Sequence, residues 1–237
     1  MSENKSRRQF YLSNIYFLFL VVNIISGEAG WEVLSYATKP ILMPVLLLWF
    51  SNKGNILDKP WLFFTMGIFF GWWGDIFLLD QSGKFFLLGL ASFLIGHIFY
   101  IVGFHALTKG KNVQLWTKYA ALGIALLVYI GVSLIIFPAM NVSEKKPILP
   151  PVLFYSAVIC LMAWYSWFAW QVKGPMLMYS FIGAILFLFS DFSIALNYFV
   201  LPNGLNHSHL IIMSTYGLAQ FLIVYGIYTL KKSHVVS

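Results

Sequence analysis

Apolar residues run along this chain in repeated blocks of about twenty, the length a helix needs to cross about 30 Å of hydrocarbon. The blocks predict helices at about 10–26, 35–50, 61–79, 85–106, 115–137, 149–170, 175–200 and 209–230. Between them lie "SNKGNILDKP", "TKGKNVQ", "NVSEKKPILPP", "QVKGP" and "LPNGLNHSH", rich in the Gly, Pro, Asn and Lys that end helices. A membrane barrel would instead alternate apolar and polar positions over strands of roughly ten residues, and no such alternation is present. No connection is long enough to separate domains. The pattern predicts an all-α polytopic membrane bundle of eight spans, one integral membrane domain over residues 1–237.

Composition sharpens this picture. The chain is 60% hydrophobic and 10% charged, with a mean hydropathy of +0.80; soluble domains carry about 25% charged residues. The net charge of +7 invites a nucleic-acid reading, but the basic residues sit between apolar blocks, where membrane orientation accounts for them. With the N-terminus inside, Lys5, Arg7, Arg8, Lys53, Lys59, Lys109, Lys111, Lys118, Lys173, Lys231 and Lys232 fall on the inner side, and Lys84, Lys145 and Lys146 on the outer. That bias predicts cytoplasmic termini. The basic start followed by an apolar run has the outline of a signal peptide, but "SGEAGWE" offers a poor cleavage site, so a retained first helix is expected. The single cysteine, Cys160, cannot form an intramolecular disulfide and reads as inert packing.

Orientation leaves some polar groups unexplained. Ionisable residues inside a span face the bundle or a water-filled cavity, because charge exposed to lipid is unfavourable. Lys39, Asp75, His97, Asp191 and Gln220 fall inside the apolar blocks. At about 1.5 Å per residue, Asp75 lies roughly 21 Å along an outward-running third helix and Asp191 roughly 24 Å along an outward-running seventh. Lys39 lies near the outer start of the second helix, and His97 nearer the midplane. Two acids and a base therefore reach one level from three helices. Plainer readings stand beside this one. Asp75 could mark a helix end at the interface, Asp191 could be a structural partner for Lys39, and His97 could be a hydrogen-bonded packing residue. Gln220 reads as glue between helices, and Gly71 and Gly74 as sites of close helix approach. His207 and His209 in "HSH" have metal-ligand spacing, but two histidines in a loop do not make a site. The tryptophans and tyrosines read mainly as interface anchors.

Four stretches in this order carry a resemblance: "KP" in the second span, "GDIFLL" ending the third, "FLIGHIFYI" in the fourth and "SDFSIAL" in the seventh. They resemble the YhhN-like family of eight-span membrane proteins, whose best-known activity is lysoplasmalogenase. The resemblance implies hydrolysis of the vinyl ether bond of a lysophospholipid, giving a fatty aldehyde and glycerophosphoethanolamine or glycerophosphocholine. It implies that Asp75 and Asp191 are the acidic pair and that Lys39, His97 and Tyr100 are supporting polar positions. The chemistry suits those residues. A vinyl ether is cleaved by protonating its terminal alkene carbon, and the oxocarbenium ion then adds water. One proton donor and one carboxylate suffice, as in glycosidases. No metal or organic cofactor is required, and Lys39 would favour the ionised form of whichever aspartate it approaches. The expected partners are a lysophospholipid and the surrounding membrane lipids, not nucleic acid. The expected location is a multi-pass membrane protein, in the inner membrane if the source is bacterial. A metal-dependent lipid amidase of the alkaline-ceramidase kind needs three histidines and an acid on zinc, and only His97 is clearly intramembrane. A proton-coupled transporter using the two aspartates as a relay is the reading from another class.

Overall fold

The computed structural model describes residues 2–51, 59–80, 83–142 and 144–236. Its helices are α1 (Ser2–Glu28), α2 (Glu32–Ser51), α3 (Trp61–Phe77), α4 (Phe86–Thr108), α5 (Leu115–Asn141), α6 (Leu149–Lys173), α7 (Met178–Ala195) and α8 (Ser208–Val236). Short 3-10 turns precede α6 and α7, at Lys146–Ile148 and Pro175–Leu177. Seven of the eight helical segments are long and apolar enough to span a membrane, and α3, with 17 residues, is a shorter apolar helix. Large apolar side chains such as Val33, Leu127 and Leu134 are exposed on the outside of the bundle, as a hydrocarbon solvent permits. The protein is thus an all-α multi-pass membrane bundle. Lys53 and most of its linker lie outside the described residues, as do the side chains of Lys5, Lys231 and Lys232.

Two predicted spans end differently in the structure. The third stops at Phe77 rather than 79, because Leu78 and Leu79 leave the helix in a turn although both are apolar. The seventh is not continuous over 175–200. It begins as a 3-10 turn after Gly174, whose positive φ of 88° ends α6, and after Ala195 it widens into a π segment, Leu196–Val200.

Helix neighbours form a closed circuit. α1 packs on α2, α2 on α3, α3 on α4, α4 on α6, α6 on α7, α7 on α8, and α8 returns to α1. Helix α5 stands outside, against α6 and the π segment. The tightest pairs are α3 with α4 and α7 with α8, and small residues explain why. A Cβ on Gly96 of α4 would stand 3.0 Å from the Gly67 carbonyl oxygen of α3. One on Gly183 of α7 would stand 2.7 Å from the Ala219 carbonyl oxygen of α8. Backbones approach this closely only where no side chain intervenes.

Helix α2 carries Pro40 and Pro44 within its length. Pro44 has no N–H for the carbonyl one turn earlier, that of Pro40. Trp72 of α3 supplies the missing donor, its indole Nε1 donating to the Pro40 carbonyl at 2.8 Å. The proline that would weaken α2 thereby fixes its height against α3, next to Lys39 and Asp75. At the outer end, Glu28 closes α1 onto α8: Oε1 accepts the Leu210 N–H at 2.9 Å, and Oε2 lies 2.6 Å from His207 Nδ1. A carboxylate there also suits the positive end of α8.

Candidate active site

Asp75 sits in the last turn of α3, and its side chain, 1% exposed, is buried inside the bundle. Each of its oxygens has a partner. Tyr216 Oη of α8 donates to Oδ2 at 2.7 Å, and Lys39 Nζ of α2 lies 3.8 Å from Oδ1. The network continues inward. Gln220 Nε2, one helical turn below Tyr216, reaches Tyr216 Oη at 3.5 Å, and Tyr100 Oη of α4 donates to Gln220 Oε1 at 2.7 Å.

Asp191, one turn before the end of α7, has a different set. Tyr155 Oη of α6 donates to Asp191 Oδ2, and His97 Nε2 of α4 lies 2.9 Å from Tyr155 Oη and 3.7 Å from the same Oδ2. Tyr155 has one proton and gives it to Asp191, so its oxygen accepts from His97 and the imidazole proton sits on Nε2. Both contacts fall on Oδ2, which leaves Oδ1 outside this hydrogen bonding.

These positions correct one expectation. Lys39 pairs with Asp75, and Asp191 is held by Tyr155 and His97 instead. Position along a helix gives height but not the direction in which a side chain points, and Lys39 faces α3. The two carboxyls lie within electrostatic range of each other. Rings stand between their networks: His97 meets Phe187 edge-on at 4.6 Å, and Phe187 meets Tyr216 at 5.4 Å. His97 is 1% exposed and belongs to the polar cluster rather than to packing alone.

Two site residues escaped the sequence reading, Tyr155 and Tyr216. Tyrosines in membrane helices read as interface anchors, but Tyr16, Tyr100, Tyr155, Tyr216 and Tyr228 are all buried. A signal did exist for Tyr216, which stands four residues before Gln220 and so shares its helix face. His207 and His209 part company: His209 Nε2 donates to the Asn23 carbonyl at 3.1 Å, while His207 turns to Glu28. Among the described residues no three His, Cys, Asp or Glu side chains gather as metal ligands would.

Glycines on α3 make room for this site. A Cβ on Gly71 would lie 2.9 Å from Gln220 Nε2, and one on Gly67 would lie 2.3 Å from Tyr100 Cε1. Gly71, expected to allow close helix approach, in fact makes room for the Gln220 side chain. Tyr100 is 1% exposed and rests against Phe64, with its ring centroid 6.1 Å away, so its ring has little room to retreat. Gly67→Ala is therefore expected to destabilise the protein by about 1–3 kcal/mol, the usual range for overpacking. Thermal unfolding of the purified protein in detergent measures this, and an unchanged melting temperature would show that the Tyr100 ring is free to move.

Two adjoining cavities lie at the site, one with Asp191 on its wall and the other with Lys39. One is apolar and enclosed by α4, α5, α6 and α7, with Leu90, Ile136, Ile159 and Phe192 in its wall and Asp191 and Tyr155 on its surface. It holds about 670 Å³ of empty space, its opening included. The other is a polar vestibule at the outer ends of α2, α7 and α8, lined by Glu32, Tyr36, Lys39, Asn197 and His209 among others. Leu78, Phe86 and Ile194 line both.

The sequence profile of the YhhN family matches residues 34–227. The chain is 27% identical over 211 residues to lysoplasmalogenase TMEM86A of Homo sapiens, covering 87% of this chain and 82% of that protein. It is 26% identical over 207 residues to lysoplasmalogenase TMEM86B of Mus musculus, with 87% and 80% covered. No solved structure matches it.

Proposed function

Because the chain belongs to the YhhN family, we propose that it is a lysoplasmalogenase, hydrolysing the vinyl ether of a lysoplasmalogen to a fatty aldehyde and glycerophosphoethanolamine or glycerophosphocholine. The observation that carries this reading is the placement of Asp191 where an apolar cavity adjoins a polar vestibule. A lysoplasmalogen has the same order of parts: an alkyl chain, the vinyl ether, then glycerol and head group. With the chain in the cavity and the head in the vestibule, the vinyl ether falls near Ile194, which both cavities share and which lies one turn from Asp191.

Protonated Asp191 gives its proton to the terminal alkene carbon. The former double bond supplies the electron pair for the new C–H bond, and the positive charge is shared between the other alkene carbon and the ether oxygen. Asp191, now a carboxylate oriented by Tyr155 and His97, takes a proton from water as the water oxygen bonds that carbon. The hemiacetal then breaks its bond to the glycerol oxygen, which leaves with a proton, and the aldehyde remains. Asp75, held by Lys39 and Tyr216, is the second carboxyl of the pair, and in its anionic form it stabilises the oxocarbenium ion. Such prearranged electrostatics are worth most where water is excluded.

Purified protein is expected to release aldehyde from a vinyl-ether lysolipid and to leave its acyl counterpart and its saturated ether nearly untouched. His97, His207 and His209 hydrogen-bond to tyrosine, glutamate and backbone partners rather than to a serine nucleophile. Equal hydrolysis of the acyl ester would point to an esterase instead. Repeating the assay after prolonged chelation separates the amidase reading, which requires that activity be lost and then restored by zinc.

A further inference from the structure

The vestibule carries charges of both signs, and the reaction proposed above uses only part of them. We propose that it is a head-group site that reads a zwitterion, Lys39 receiving the phosphodiester and Glu32 the ammonium of an ethanolamine or choline head. The proposal rests on the lysoplasmalogenase reading and names how the same site selects its substrate.

Three observations carry it. The vestibule adjoins the apolar cavity, with Leu78, Phe86 and Ile194 lining both, so a single-chain lipid lying in the cavity has its polar end directed toward the vestibule. Glu32 and Lys39 both line the vestibule from α2. Seven residues apart, they share one helix face, about 10 Å from each other along the axis. A phosphate and an ammonium two carbons apart bridge that gap when each makes an ionic contact of about 3 Å. Their order also fits. Lys39 is partly buried against Asp75, on the side where the glycerol phosphate follows the vinyl ether. Glu32 is exposed in the first turn of α2, where the end of the head group emerges. A plainer role for Glu32 is to complement the positive end of α2. That role would affect the stability of the helix and would not distinguish one lipid head from another.

The test uses full-length protein in detergent and two saturated-ether lysolipids that cannot be cleaved. One is 1-alkyl-glycerophosphoethanolamine. The other is 1-alkyl-glycerophosphate, which keeps the phosphate and lacks the ammonium. Calorimetry gives Kd for wild type, Glu32→Gln and Glu144→Gln, the last removing an exposed charge from the connection between α5 and α6. Glu32→Gln is expected to weaken the ethanolamine lipid about three- to fivefold, the upper range for an exposed ion pair, and to leave the phosphate lipid unchanged or tighter. Glu144→Gln is expected to alter neither. Equal weakening of both lipids by Glu32→Gln, no weakening of either, or the same selectivity in Glu144→Gln would each overturn the proposal. Turnover is measured separately on the vinyl-ether lipid. Selective binding without turnover would therefore remove the lysoplasmalogenase reading and leave the head-group site in place.

Discussion

Asp191→Asn and Asp75→Asn are each expected to lower kcat on a vinyl-ether lysolipid by at least about 10²-fold, the usual scale for losing a general acid–base group. Asparagine keeps the size of aspartate and much of its hydrogen bonding, so the main loss is the ionisable proton. In Asp191→Asn no acid remains on the cavity wall to protonate the alkene. In Asp75→Asn the acid remains, but the second carboxyl of the pair is lost and Lys39 loses its partner. The double variant should be little worse than either single one, because groups serving one step are strongly non-additive. Glu144→Gln, at an exposed position between α5 and α6, should stay near wild type. The variants must be monodisperse and thermally intact for the comparison to hold. A well-folded Asp191→Asn protein with near-normal turnover would remove Asp191 from the reaction and leave Tyr155–Asp191–His97 as a structural cluster.

Lys39→Met is expected to reduce stability by about 1–3 kcal/mol, because it takes one partner from a buried polar carboxyl. Asp75 is 1% exposed, and the lysine side chain beside it, 18% exposed, also lines the vestibule. Adding Asp75→Asn should recover most of that stability, since neither charge then remains. Turnover should stay at least about 10²-fold down in the double variant, as in Asp75→Asn alone. Thermal unfolding and kcat together form the cycle that separates the two effects. A Lys39→Met protein as stable as wild type would show that Asp75 does not carry its charge beside Lys39.

The lengths of the apolar blocks made most helices legible within a few residues. The exceptions have a common cause. Leu78, Leu79 and 196–200 are apolar enough to continue a helix, and hydropathy does not register a turn or a π segment among apolar residues. Asp75, Asp191, Lys39 and His97 stood out because ionisable groups are rare in hydrocarbon, and Tyr100 came through family resemblance. Tyr155 and Tyr216 did not stand out, because a phenol is ordinary in a membrane helix and only its partner distinguishes anchor from hydrogen-bond donor. Neither was the pairing of Lys39 with Asp75 legible. It depends on the rotation of α2 about its axis, which Pro44 and Trp72 help to set across two helices.

The circuit of helices closes late in time as well as in space. Tyr216, the hydrogen-bond donor to Asp75, follows it by 141 residues. At about 5–20 residues per second of synthesis, that separation is on the order of ten seconds. Throughout that interval α3 is already made while α8 does not yet exist. Lys39, in the preceding helix, is available from the start. Of the two partners of Asp75, the lysine thus precedes it in the chain and the tyrosine arrives only with the last helix.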